Sequence, residues 1–288
     1  MIASQPNPQG LADLASALRL SKNGLVNLLE TAEQSYHRYP LRTRKRRPRW
    51  IEAPTPLLKA VQRRLLERLL YQAHPHATAH GFYPGRSILT NASSHAGKAW
   101  VLSCDLKDFF PSTKQPMVET VLNRFHGFGE EARAAVLQLV CRRGALPQGA
   151  PTSPHLANLA FLDGDEQLSD LAGDHGLTYT RYADDMTFSG DSLPDDLEDQ
   201  IAAIVIPIGY RLAQAKTKRM GRHQCQKVTG LVVNDGVKLP RAQRRRLRAI
   251  RQDLDTRGMD FALNRSSYRS AAELAGHLAF ERMVAVAR

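Results

Sequence analysis

Cysteine is scarce in this chain. Three residues, Cys104, Cys141 and Cys225, lie far apart and are odd in number. That excludes a disulfide framework and a cysteine-based zinc site, and it suits free thiols in a reducing, cytoplasmic setting. Long apolar runs are also missing. The longest, Ile201 to Ile208, is too short to span a bilayer and is interrupted by Pro207. The N-terminus lacks a basic start followed by an apolar stretch, so no secretory leader is expected. There is no internal repeat and no low-complexity tract. Acid is in deficit as well, with 28 Asp/Glu against 40 Lys/Arg, a net charge of +12 and a pI of about 9.9. Such a surplus favours a polyanionic partner, most simply nucleic acid. From Arg211 onward there are 18 Lys/Arg against 6 Asp/Glu, so the last quarter alone accounts for a charge of +12. An anionic membrane would attract the same charge. No amphipathic helix sets bulky apolar residues opposite those arginines, so no membrane partner is expected.

What is present is an ordinary globular composition over 288 residues, enough for one large domain or two small ones. Helical spacing of leucines predicts two short helices between Leu11 and Tyr39, broken at Ser21-Lys22-Asn23-Gly24. The run Arg42 to Arg49 holds six basic residues in eight. A solvated loop is one reading; contact with phosphates is preferred, because charges this dense repel one another without a nearby anion. Trp50 to Pro54 reads as a short strand. Leu57 to Tyr71 reads as a helix, apolar inside and basic outside. Further helices are expected over Gln115–Arg124, Glu130–Cys141, His155–Leu171, Asp195–Ile206 and Arg241–Leu254. Lys227 to Gly236 has a hairpin pattern with its turn at Asn234 to Gly236.

Two stretches carry acids on β-prone backbone. Ala99 to Leu106 is a buried-strand pattern ending in Asp105. Leu177 to Ser189 reads as strand, tight turn, strand, with Asp184 and Asp185 at the tip. A capping aspartate and a solvated Asp-Asp turn are the plain alternatives. The sharper reading is that these carboxylates meet a divalent cation, because Mg²⁺ takes hard oxygen ligands from one or two carboxylates and completes its shell with water and phosphate. Between the two stretches, Gly144 to Pro154 is dense in Gly and Pro, which lets backbone approach a ligand closely.

In chain order these pieces resemble the reverse transcriptases, and among them the bacterial retron-type enzymes. The resemblance rests on Arg49-Trp50-Ile51-Glu52-Ala53-Pro54, Gly81-Phe82 through Arg86-Ser87, Asp105 through Phe110, Leu146 through Pro154, Tyr182-Ala183-Asp184-Asp185 and Lys216-Thr217. Asn91-Ala92-x-x-His95 and Val228-Thr229-Gly230 are similar to retron patterns rather than to group II intron or retroviral ones. The position three residues before the motif lysine, usually asparagine in the family, is Ala213 here.

The resemblance implies an α+β right-hand polymerase fold. Residues 1–98 would form N-terminal helices and fingers, and 99–236 a palm with an antiparallel sheet and a fingers insertion at about 115–145. Residues 237–288 would form a short basic helical thumb. It implies that Asp105, Asp184 and Asp185 hold two Mg²⁺ ions, with Mn²⁺ as an alternative. Phe110 would be the aromatic gate against a ribose 2′-hydroxyl. Gln148 and Gly149 would line the incoming dNTP, Lys216 would serve the pyrophosphate as general acid, and Arg49 and Arg86 would contact the triphosphate. Val228 to Leu231 would grip the primer end. Arg44, Lys45, Arg46, Arg47, Arg244, Arg245 and Arg248 are the expected nucleic-acid contacts. Asn91 and His95 would be structural or RNA-facing. The implied activity is RNA-directed DNA synthesis on a cognate structured non-coding RNA. Priming from a 2′-hydroxyl would give a branched RNA–DNA product that serves antiphage defence with an effector protein. The alternatives are another group II-like or defence-associated reverse transcriptase, or an RNA-binding scaffold without chemistry.

Overall fold

The computed structural model describes residues 8–41, 49–125 and 127–286. The basic residues Arg44, Lys45, Arg46 and Arg47 lie outside the described residues. The architecture is mixed α+β, with antiparallel sheets.

The chain begins with α1 (Leu11–Ala17) and α2 (Lys22–Thr31). Ser21 caps α2, its Oγ accepting from Gly24 N at 3.0 Å, so the expected break is a helix start. The stretch expected to stay helical to Tyr39 is instead a strand. β1 (Tyr36–Leu41) pairs antiparallel with β2 (Arg49–Pro54). Its aromatic residues gain a partner strand, and Tyr36 is buried with its hydroxyl accepting from Gln62 Nε2 at 2.9 Å. β2 ends at Pro54, and Pro56 opens α3 (Pro56–Arg68) at a position where its missing N–H is not needed. α3 buries Leu58, Val61 and Leu65 and leaves Leu57 at the surface.

After α4 (Ile88–Ser93) come β3 (Trp100–Asp105), α5 (Phe109–Ser112), α6 (Gln115–Asn123) and α7 (Glu130–Val140). The single helix expected at His155–Leu171 is two, α8 (Ser153–Ala160) and α9 (Leu162–Asp174), with Phe161 leaving helical geometry between them. β4 (Thr178–Tyr182), β5 (Asp185–Gly190), α10 (Leu197–Val205) and β6 (Lys218–Gly221) follow. β7 (Lys227–Val228) and β8 (Leu231–Val232) form a small hairpin. Its turn is Thr229-Gly230, both at positive φ; the expected turn at Asn234 to Gly236 is also present and folds the chain back, so that Val232 and Lys238 exchange backbone hydrogen bonds at 2.8 Å. Two positive-φ central residues match the right-handed twist of the strands. The Thr229 hydroxyl donates to Ile88 O at 3.0 Å, which seats the turn on the start of α4. The chain closes with α11 (Arg241–Arg265), broken at Gly258 (φ +81°), and α12 (Ala271–Val286). Among the described residues no helix is long and apolar enough to cross a membrane.

The central sheet has the order β4-β5-β3-β6, antiparallel throughout. Strand alternation splits its side chains between two faces. Leu102, Cys104, Met186, Phe188 and Tyr179 belong to the main core with the helices. Val101 and Met220 belong to a second core with Val228, Leu231, Leu247 and Val284, which ties the small hairpin and last helices to the sheet. Leu102 and Phe188 are paired and fully buried, each contributing about 1.5–3 kcal/mol of burial. A one-residue slip would turn these apolar residues out of the core, so their burial holds the register.

Candidate active site

That register sets Asp105 directly opposite Asp185 at the end of β3 and the start of β5. The two-residue turn between β4 and β5 is Ala183-Asp184, with Ala183 at φ +59°. The sequence pattern predicts both acids at the tip; only Asp184 is in the turn, and Asp185 is already a strand residue. Leu106 N donates to Asp184 O at 2.8 Å, so the turn is also tied to the end of β3. Ser103 Oγ donates to Asp185 Oδ1 at 3.1 Å. Burial first, and then the nearby Asp105 charge, pushes the Asp185 carboxyl up to about 6. Asp184 is raised for the same two reasons, while Lys216 and Arg49 act to lower it. The three acids therefore crowd one another, and the crowding is only partly offset by cations.

Lys216 reaches the site through a second link to β3. Ala213 N donates to Asp105 O at 2.8 Å, and Lys107 N to Arg211 O at 2.8 Å. The family's asparagine is absent at Ala213, but the backbone there makes its own connection to Asp105. A 3₁₀ turn, Gln214–Lys216, then brings the Lys216 ammonium onto Asp105 Oδ1 as an ion pair.

A cavity of about 450 Å³ opens beside this group, lined by Arg49, Phe110, Gln148, Asp184 and Lys216 among others. Five residues singled out from separate stretches of sequence thus line one cavity. Gln148 O accepts from Glu52 N at 2.9 Å, which docks the Gly/Pro loop on β2. Gly149 has a different task from lining the cavity. It sits at φ +139°, and a Cβ there would meet Glu52 O at 2.7 Å, so only glycine permits this backbone approach. Arg86 is not part of the group. Its Nη1 donates to His76 O and Ala79 O, both at 2.6 Å, so its guanidinium holds its own loop together rather than facing the cavity. A second cavity of about 650 Å³ lies past Asp105 and carries Lys216, Lys218 and Lys227. It is a cationic trough suited to a phosphate backbone.

Arg244, Arg245 and Arg248 all lie on α11. Arg245 and Arg248 are exposed and, among the described residues, make no ion pair. Arg244 is half-buried. Neighbouring cations are engaged internally, Arg246 over the Tyr268 ring at 4.6 Å and Arg251 with Glu281.

One buried ion pair has no counterpart among the residues singled out from the sequence. Arg181 is fully buried and forms an ion pair with the equally buried Asp165. Its Nε donates to Asp165 Oδ1 at 2.8 Å and its Nη1 to Ala183 O at 2.8 Å. Removing one partner of such a pair costs about 3–5 kcal/mol. Strand alternation and helical spacing held the signal, since Arg181 shares a sheet face with Tyr179 and Asp165 falls on the buried face of α9 with Leu168 and Ala172. His95 is also fully buried. Its ring nitrogens meet Ser189 Oγ and Thr180 Oγ1, each at 2.7 Å, and burial lowers its pKa to about 3. Asn91 is equally buried. Both therefore sit inside the fold, and the structural alternative for this motif is the one the packing favours.

The acids fit a divalent-cation site by chemistry: three carboxylates, two of them raised in pKa, with a lysine ammonium already serving as counter-ion. Among the described residues no three His, Cys, Asp or Glu side chains close around one point. Asp105 is instead paired with Lys216.

The family model described as reverse transcriptase (RNA-dependent DNA polymerase) matches residues 39–233. The chain is similar to the Retron Mx65 reverse transcriptase of Myxococcus xanthus, 38% identical over 255 residues, covering 82% of this chain and 58% of that one. It is similar to the Retron Mx162 reverse transcriptase of the same organism, 35% identical over 287 residues, covering 83% and 59%. It is also similar to the Retron Ec86 reverse transcriptase of Escherichia coli, 35% identical over 233 residues, covering 80% and 72%. The match thus spans just under three fifths of the length of the two Myxococcus relatives.

Proposed function

This chain belongs to the reverse transcriptases, on their retron branch, and from that premise we propose that it is an active RNA-directed DNA polymerase. The observation that carries the reading is the pairing of Asp105 with Asp185 beside a cavity lined by Asp184, Arg49, Phe110, Gln148 and Lys216.

In this reading Asp105, Asp184 and Asp185 hold two Mg²⁺ ions, for which Mn²⁺ can substitute. Ions held there would supply activation of a primer hydroxyl and neutralisation of triphosphate charge. The side chains supply the rest, mainly positioning and electrostatics. Phe110 presents its ring beneath the sugar and leaves no room for a 2′-hydroxyl. Arg49 and Lys216 face the triphosphate, and Lys216 Nζ donates a proton to the leaving pyrophosphate. The lysine trough holds the primer strand. The exposed arginines of α11, Arg245 and Arg248, track the duplex as part of a thumb over 237–288, with the palm over 99–236 and the fingers ahead of it.

The template is a cognate structured RNA, as the retron relatives suggest. A 2′-hydroxyl of that RNA serves as primer, giving branched msDNA that acts in antiphage defence with an effector protein. Primer extension on an RNA template with Mg²⁺ and dNTPs tests the polymerase. DNA product is expected; RNA binding without extension would instead favour the scaffold. Nucleic acid that co-purifies with the protein identifies the template.

A further inference from the structure

We propose that Arg181 is a positioning residue for Asp184, acting from inside the core through the carbonyl of Ala183. The inference rests on the reading of Asp184 as a metal ligand.

Each nitrogen of the guanidinium has at least one partner. Nε and Nη2 take the two oxygens of Asp165. That leaves Nη1, which donates to Asn158 Oδ1 at 3.0 Å and to Ala183 O at 2.8 Å. Asn158 Nδ2 in turn donates to Gly81 O at 2.8 Å. Gly81 closes the ring from the other side, because a Cβ there would meet Ala183 N at 2.8 Å. Tyr179 OH donates to Asp165 Oδ1 at 2.8 Å, which fixes the carboxylate that fixes the arginine. The guanidinium also lies 4.8 Å from the Phe161 ring centroid and 5.3 Å from that of Phe109.

Ala183 needs such a hold. It is a non-glycine residue at φ +59°, a conformation that persists only when its surroundings over-determine it. Ala183 is also the residue that delivers Asp184 into the turn. Fixing its carbonyl fixes the peptide plane joining the two residues, and with it the root of the Asp184 side chain. Lysine cannot replace the fork, because it is a point charge without paired planar donors. A buried pair that served stability alone would need Asp165 but not the third donor on Ala183.

The test compares the full-length parent with Arg181→Lys, well below the melting temperature of both. Three quantities are read: single-nucleotide kcat and KM, Mn²⁺ affinity by electron paramagnetic resonance, and melting temperature. A positioning role predicts a kcat loss of about tenfold or more, with nucleotide KM nearly unchanged and Mn²⁺ bound several-fold more weakly. If kcat and Mn²⁺ affinity both stay within about twofold of the parent while only the melting temperature falls, the proposal is overturned. If Arg181→Lys does not fold, Asn158→Ala replaces it. Asn158→Ala is then paired with Asp165→Glu, which keeps the buried charge pair but shifts the guanidinium by one methylene away from Ala183 O, and the same two outcomes, read on Asp165→Glu, decide. If the parent itself makes no DNA, the polymerase reading has failed. The Mn²⁺ affinities then judge the positioning role alone.

Discussion

Asp105 and Asp185 are direct partners across β3 and β5. Neighbouring strands lie about 4.7–4.9 Å apart, so two carboxylates distant in sequence meet at the end of one sheet. Burial and mutual repulsion raise Asp185 to about 6, which makes the pair costly without a cation and well suited to one.

Replacing Asp184 with asparagine removes a charge from this group while keeping its shape. Asp184→Asn should abolish DNA synthesis and leave RNA affinity within about threefold, since the cations proposed to contact RNA lie away from Asp184. Primer extension beside filter binding reads both. Equal loss of the two would count against a metal role.

Phe110 lines the cavity shared by Asp184 and Lys216. Phe110→Ala should let ribonucleotides compete with deoxyribonucleotides, narrowing the selectivity by about tenfold or more. Side-by-side kcat/KM for dNTP and rNTP measures this. Unchanged sugar selectivity would remove the gate assignment.

The raised Asp185 has a definite sign in stability. Between the unfolded carboxyl value near 4 and the folded value of about 6, the folded state holds more protons than the unfolded one. The metal-free protein should therefore gain stability from this group as pH falls from 7 to 5. His95 works the other way: it is lowered to about 3, so its contribution is lost as pH falls below its ordinary value. Melting curves in chelator for the parent and Asp185→Asn isolate the carboxyl. The parent should gain relative to the variant toward pH 5, and parallel curves would refute the assignment. Metal affinity should weaken over the same range, because protons compete for the carboxylate.

Gly149 packs its backbone on Glu52. Gly149→Ala should push the loop off β2, the strand that carries Arg49. The expected result is a nucleotide KM raised by about tenfold, together with lower stability. Steady-state kinetics and thermal melts check the two parts, and an unchanged KM would separate this contact from nucleotide binding.

Arg245 and Arg248 are exposed on α11. RNA affinity should fall steeply with salt if several phosphates are contacted, and each arginine-to-alanine change should reduce the log–log slope by about 1. Titrations at several salt concentrations measure it. A flat response would remove α11 from the interface.

The residues proposed to carry the chemistry stand out one stretch at a time. Strand alternation and turn residues marked Asp105 and the Asp184–Asp185 hairpin, helical spacing marked most helices, and charge counting marked the basic end. Local pattern misled where a partner decided the outcome. Residues 36–39 became a strand because β2 lies alongside them. Arg86, a cation in a motif loop, turned to the carbonyls of His76 and Ala79.

What the amino-acid order determined by itself was which side chains carry charge, which backbone is extended, and which loops tolerate close approach. Those properties depend on near neighbours and side-chain chemistry. Only the tertiary structure decided that Asp105 meets Asp185, that Gly149 lies against Glu52, and that Arg181 and His95 are buried and satisfied inside the fold. Each of these joins residues far apart along the chain or depends on what packs around them, and a local period carries no information about which distant group will fill the space.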